Sequence, residues 1–174
     1  MPINYSDHQL KLSLKNSKVL IVDDQLLSLI VLKKILSEHF NVTTAGSGEE
    51  AIEICNVNVP DIVLLDISMG GMSGIDTCLK LKNNTETQDI PVIFVTSFEN
   101  EEEECWEAGA VDFIKKPIIK ETLFRRVRAH ITLKLQHDLL NQKVFLDDLT
   151  KVFNRRYFDA HFSKMERSAL REKV

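Results

Sequence analysis

The sequence predicts an α/β fold: a five-stranded parallel sheet with helices on both faces and an extended C-terminal helix. Three observations carry that expectation. Val19-Leu20-Ile21-Val22 and Ile62-Val63-Leu64-Leu65 are aliphatic runs without polar alternation, the pattern of strands buried on both faces. Both runs stop abruptly on carboxylates, Asp23-Asp24 and Asp66. Strand-like and helix-like stretches alternate five times with connections of ordinary length, as in an open parallel sheet.

Taken in order, a polar arm over residues 1–17 leads into the first strand. Leu26 to Phe40 reads as a helix, with Leu26, Leu29, Ile30, Val31, Leu32 and Leu36 on a broad apolar face. Asn41 to Ala45 is a short second strand. Ser47 has the character of an N-cap, and Glu49 and Glu50 follow in the first turn, where the helix dipole favours acids. Pro60 ends that connection, and the third strand runs to Asp66. The flexible loop Met69 to Gly74 precedes a helix from Ile75 to Lys82. Ile90 to Val95 is the fourth strand, with Pro91 near its start, where a missing N–H is tolerated, and Thr96-Ser97 after it. Glu101 to Ala108 reads as a helix stopped by Gly109, and Val111 to Ile114 as the fifth strand, ending at Lys115-Lys116-Pro117. From Ile119 the pattern is helical, and no proline or glycine interrupts it before Asp147.

A chain of 174 residues holds one well-packed domain and an appendage. The net charge of −4, spread along the chain, offers no basic face for nucleic acid. Cys55, Cys78 and Cys105 sit singly in helix-like stretches, as buried thiols of a reducing compartment do. No stretch has the form of a signal peptide or the length to span a bilayer, so a cytoplasmic location without membrane contact is expected.

In an open α/β sheet, ligands bind outside the carboxyl ends of the strands where strand order reverses, which in a flavodoxin-like order lies between the first and third strands. Asp23, Asp24 and Asp66 come from those two strands, Thr96 follows the fourth and Lys116 the fifth. Singly, each has an ordinary explanation: paired acids cap the next helix, Thr96 is a turn hydroxyl, and Lys116 is a solvated ammonium. Together, three carboxylates favour a hard cation such as Mg²⁺, which takes one or two carboxylates, waters and a phosphate oxygen. One carboxylate is then left to react. Gly46-Ser47-Gly48-Glu49-Glu50-Ala51 also fits the dinucleotide pattern G-x-G-x-x-A, but it follows the second strand and puts acids where a pyrophosphate would bind. A dinucleotide-binding α/β enzyme is the weaker alternative.

Over residues 18–129 these features resemble the receiver domain of two-component response regulators. Asp23-Asp24 matches the family's acidic pair, Asp66 its phosphoacceptor, Thr96 its switch hydroxyl, Phe113 its aromatic switch and Lys116-Pro117 its lysine-proline. The resemblance implies a flavodoxin-like (βα)5 receiver fold and phosphoryl transfer to Asp66 from a sensor histidine kinase or phosphotransfer protein. It also implies Mg²⁺ held by Asp24, Asp66 and the Ser68 backbone carbonyl, with Asp23 acting through metal-bound water. Thr96 would bind the phosphoryl oxygens and let Phe113 turn inward; from the sequence alone, Phe113 is equally a core aromatic. The chain departs from the family at Gly70, where proline is common, so a more flexible Gly70-Gly71 loop is expected. A receiver that never uses phosphate and works as a dimerising scaffold is the competing reading.

The stripe Ile119, Leu123, Val127, Ile131, Leu135, Leu139 advances by about 40° at each step of four, so its residues cannot all face the sheet. Residues 130–146 are expected to form a helical linker. Leu135, Leu139, Gln142, Leu146 and Leu149 follow the 4-3-4-3 spacing of a coiled-coil seam, which predicts a parallel homodimer through this helix. The alternative interface pairs Glu101 to Glu104 with Arg125, Arg126 and Arg128 across subunits. Asp147 to Phe158, with D-x-L-T and N-R-R, resembles the opening of a GGDEF-type diguanylate cyclase domain over residues 147–174, and departs from it at Lys151 and Ser163, where the family has a glycine and an acid. That resemblance implies a cyclase output. The family's metal-binding catalytic loop would lie past Val174, so no cyclic dinucleotide is expected from this chain alone.

Overall fold

The computed structural model describes residues 14–97 and 102–145. The polar arm up to residue 13, Glu101, the seam leucines Leu146 and Leu149 and the GGDEF-like stretch 147–174 lie outside the described residues. Five strands form, β1 (Lys18–Val22), β2 (Asn41–Ala45), β3 (Ile62–Asp66), β4 (Val92–Thr96) and β5 (Asp112–Lys115). They alternate with helices α1 (Leu26–Leu36), α2 (Gly48–Val57), α3 (Gly74–Lys82), α4 (Glu102–Glu107) and α5 (Lys120–Phe145). All pairings are parallel in the order β2-β1-β3-β4-β5, which is the flavodoxin-like arrangement.

The aliphatic runs are strands because each has a covered face on either side. Leu20 and Val22 of β1, Val63 and Leu65 of β3, and Val92 and Phe94 of β4 join one apolar cluster with Ala51 and Cys55 of α2, Cys78 and Leu81 of α3 and Cys105 of α4. The alternating residues Val19, Ile21, Ile62, Leu64 and Ile93 are equally buried and face the other side, where Leu32 and Leu36 of α1 and Leu123, Val127 and Ile131 of α5 are buried too. All three cysteines are free and buried, and burial pushes the Cys55 and Cys78 thiols up to about 11.

Two expectations are corrected. The first helix stops at Leu36 rather than Phe40, because the chain must turn there to bury Phe40 and let Asn41 N–H donate to Ser17 O at 2.9 Å, which starts β2. Its apolar face is also only partly covered: Leu26 and Leu27 are 71% and 73% exposed and Ile30 is 53% exposed, and Ile119 just before α5 is exposed as well. The sheet covers a narrower stripe than the apolar pattern suggested.

The chain divides into two compact units, Met1–Thr132 and Leu133–Val174, with residues of α5 in both. In the second unit Lys134 pairs with Asp138 one turn on, at 3.1 Å, and Leu133 and Leu140, one heptad apart, are exposed. Among the described residues no helix is long and apolar enough to cross a membrane.

Candidate functional site

The register of the sheet places the acids. Val22 of β1 pairs with Leu65 of β3, so Asp23 and Asp66 step off neighbouring strands side by side at the carboxyl rim. Asp23 is 1% exposed and Asp66 4%. Asp23 Oδ1 accepts the Gln25 N–H at 2.8 Å, at the entry to α1, whose N-cap position makes no side-chain cap of its own. One oxygen of Asp23 thus holds the turn that leads into α1 while the other faces Lys116.

Lys116 reaches the same point from β5. Thr96 pairs with Lys115, and Lys116 N–H donates to Thr96 O at 2.7 Å, extending the ladder by one residue. The ammonium lies 3.0 Å from Asp66 Oδ1 and 3.2 Å from Asp23 Oδ2. Asp24 is exposed, and its Oδ2 accepts the Gly70 N–H at 2.7 Å. Carboxylate oxygens of Asp23, Asp24 and Asp66 all lie within 4.8 Å of one another.

Burial pushes the Asp66 carboxyl above its ordinary value, a rise that Lys116 opposes and that the charges of Asp23 and Asp24 reinforce. Burial by itself would lower Lys116, but its bonds and charge attraction to Asp66 and Asp23 outweigh that and raise it. When all are ionised, three carboxylates face one ammonium, and the rim is short of positive charge. Its all-oxygen acidic donors suit Mg²⁺, which fits this residue set.

Thr96 is buried at the end of β4, one step past Val95, which pairs with Asp66. Phe113 of β5 is half-buried against the core, its ring meeting Trp106 of α4 edge-on at 5.7 Å. It flanks a cavity of about 270 Å³, lined also by Ile114, Pro117, Ile119 and Thr122. Ser68 lies exposed in the loop after β3.

Sequence reasoning missed Asp112, at the start of β5. Arg126 of α5 donates to Asp112 Oδ1 and, at 3.3 Å, to Phe113 O, and His130 Nε2 lies 3.2 Å from Asp112 Oδ2. A lone acid opening the strand, with an arginine and a histidine at i and i+4 on a later helix, was the available signal. Arg126 is thus engaged within its own chain, and Arg128 lies over the Phe124 ring at 5.5 Å. At the G-x-G-x-x-A stretch, Ser47 Oγ accepts the Glu50 N–H at 3.2 Å and Glu50 Oε2 accepts the Gly46 N–H at 2.7 Å. Two of the amides a pyrophosphate would need are filled by the chain's own oxygens.

Residues 19–128 match the response regulator receiver domain. The chain is 37% identical over 131 residues to the response regulator PleD of Caulobacter vibrioides, covering 74% of this chain and 29% of PleD. It is 37% identical over 156 residues to the "Probable cyclic di-GMP phosphodiesterase" of Vibrio cholerae, covering 88% of this chain and 35% of that protein. The signal receiver domain of a signal transduction histidine kinase from Syntrophus aciditrophicus aligns with a TM-score of 0.63 at 30% identity, over 67% of this chain and 90% of that one. The chain spans about a third of the length of the two curated relatives. The matched stretch contains every residue of the acidic rim, and the chain belongs to the family of response regulator receiver domains.

Proposed function

We propose that this chain accepts a phosphoryl group on Asp66 in an Mg²⁺-dependent reaction and passes the change through β5 and α5 to an output domain. The observation that carries the reading is the Lys116 ammonium set between Asp66 and Asp23 in a rim of three carboxylates. An oxygen of Asp66 attacks phosphorus as the P–N bond of a phosphohistidine donor breaks, with the electron pair leaving on the imidazole. Lys116 favours the ionised form of Asp66 and meets the phosphoryl oxygens as they arrive. Asp24, Asp66 and the Ser68 carbonyl would hold Mg²⁺ with Asp23 beside them, and bound there the ion supplies the remaining positive charge. Leu26, Leu27 and Ile30, exposed at the start of α1, offer a histidine kinase or phosphotransfer protein an apolar surface near the rim. The buried, reduced thiols fit a cytoplasmic setting.

Intact-mass measurement after incubation with acetyl phosphate should show one added phosphoryl group with Mg²⁺ and none in EDTA over the same time. An adduct that forms equally without Mg²⁺ sinks the metal assignment. No adduct at all favours the phosphate-independent scaffold.

Thr96, beside Asp66, would donate to the phosphoryl oxygens, and Phe113 would then leave its edge-on contact with Trp106. Trp106 is the single tryptophan of the chain, so its emission reports that movement. Phosphorylation should change the emission in the wild type and leave Phe113→Ala unchanged; an unchanged wild-type spectrum on a fully phosphorylated sample would remove Phe113 from the switch.

For the receiver, residues 18–129 are proposed, with 130–146 as the helical linker. For the output, the D-x-L-T and N-R-R stretch supports a GGDEF-type diguanylate cyclase domain opening at residue 147. A phosphodiesterase output is the second reading, favoured by the similarity to the probable cyclic di-GMP phosphodiesterase of Vibrio cholerae. Production of cyclic di-GMP from GTP, or its hydrolysis, by a protein in which this chain continues into such a domain separates the two.

A parallel homodimer through α5 is the proposed arrangement. Burying an exposed leucine contributes on the order of 1.5–3 kcal/mol, so a few pairs can offset the cost of association. Sedimentation should show a wild-type dimer. Leu133→Asp/Leu140→Asp and Leu135→Asp/Leu139→Asp then tell which leucine stripe forms the contact, and a wild-type monomer at every concentration ends the proposal.

A further inference from the structure

Asp24 is the exposed member of the rim, and an exposed aspartate samples several rotamers unless something holds it. Here the Gly70 N–H does so, donating to Asp24 Oδ2 at 2.7 Å from a segment 46 residues away. The donor belongs to a pinned loop. Met69 N–H and Gly74 N–H both donate to Ile67 O, at 3.2 and 2.9 Å, and Gly71 turns the chain at a φ of 86°, a conformation that favours glycine.

We propose that the Gly70 N–H is a positioning group of the cation site, holding the Asp24 carboxylate among the oxygens of Asp23 and Asp66 and so raising the affinity for Mg²⁺. The inference rests on the reading of the rim as an Mg²⁺ site. A carboxylate accepts several bonds, so the amide on Oδ2 leaves capacity for a cation. Groups that orient a metal ligand contribute to affinity by fixing it before the ion arrives. The positive end of the N–H dipole also offsets repulsion among the three carboxylates.

The backbone N–H matters here, not the absence of a side chain. Gly70 lies outside the left-handed region, and a Cβ there would meet only Asp24 Oδ2, at an ordinary 3.6 Å. Gly70→Ala therefore keeps the bond, whereas Gly70→Pro removes the donor. A backbone ester made with the α-hydroxy analogue of Gly70 removes the donor without restricting φ.

Isothermal titration with Mg²⁺ alone, on the wild type, Gly70→Ala, Gly70→Pro and the ester, tests the proposal, with thermal unfolding in EDTA to establish that each is folded. Gly70→Ala should bind as the wild type does, and the two donor-less forms about 10-fold or more weakly. Should Gly70→Pro not fold, the ester decides. Wild-type affinity in a folded donor-less form overturns the inference alone, as does a Gly70→Ala that weakens as much as the ester. Absence of Mg²⁺ binding by the wild type overturns the reading of the rim and this inference with it.

Discussion

Asp66→Asn will take up no phosphoryl group from acetyl phosphate and will unfold at a higher temperature than the wild type. The first effect follows because an amide oxygen lacks the charge and electron pair that the carboxylate brings to phosphorus. The second follows from the environment: Asp66 is almost fully buried, and burial raises its carboxyl despite the Lys116 ammonium at 3.0 Å. The folded chain then keeps the Asp66 proton to a higher pH than the unfolded chain does. Between the ordinary value of 3.8 and the raised one, this group's contribution to stability falls as pH rises, and above the raised value the full cost is present. The neutral amide removes that cost while Lys116 keeps its contact with Asp23 at 3.2 Å. A gain of 1 kcal/mol corresponds to a rise of about 2–4 °C at this chain length. Urea unfolding across the acid-to-neutral range should show a stability slope in the metal-free wild type that is shallower in Asp66→Asn. An adduct on Asp66→Asn, or a lower melting temperature, contradicts the account of the rim.

Gly74→Ala will lower the melting temperature and slow phosphorylation of Asp66 together. Gly74 opens α3, and a Cβ on it would lie 2.1 Å from Asp66 O, 2.8 Å from the Ile67 Cα and 2.9 Å from the Asp66 carbonyl carbon. All three are backbone atoms, so no rotamer change relieves the overlap. Either α3 withdraws from the end of β3 or the Asp66 backbone moves. Overpacking of this kind costs about 1–3 kcal/mol, and a displacement near 1 Å at a reacting group costs on the order of 100-fold in rate. Thermal unfolding and the rate of adduct formation with acetyl phosphate are the measurements. A substitution that lowers stability and leaves the rate intact would show that α3 gives way and that Asp66 is held by β3 alone.

Asp23, Asp66 and Thr96 were legible as one rim from the sequence, because a doubly covered parallel strand declares itself by an unbroken aliphatic run and the residue after its last aliphatic position falls at the carboxyl edge, with Asp24 and Lys116 two residues past the last aliphatic position of β1 and β5. The start of α2 was legible for a similar reason: the Ser47 cap and the Glu50 oxygen act within four residues, so sequence neighbours carry all the information. The end of α1 and the coverage of its apolar face were not. Leu26, Leu27 and Ile30 are as apolar as Leu32 and Leu36, and only the position of the sheet says which of them it covers.

What the sequence alone determined is therefore the order of strands and helices and the chemistry gathered at their ends, since burial pattern, capping and charge are written locally. Only the tertiary structure decided how those ends are held. The Gly70 amide on Asp24, the Gly74 contact with the Asp66 backbone and the Asp112 carboxylate between Arg126 and His130 join segments from 8 to 46 residues apart. The Gly70 bond uses a backbone N–H, which every residue but proline supplies alike, so no side-chain pattern could announce it, whereas the Gly74 contact needs a residue without a Cβ; the Gly70 and Asp112 contacts exist because the crossovers return β1, β3 and β5 to one sheet and bring their following segments within hydrogen-bonding distance.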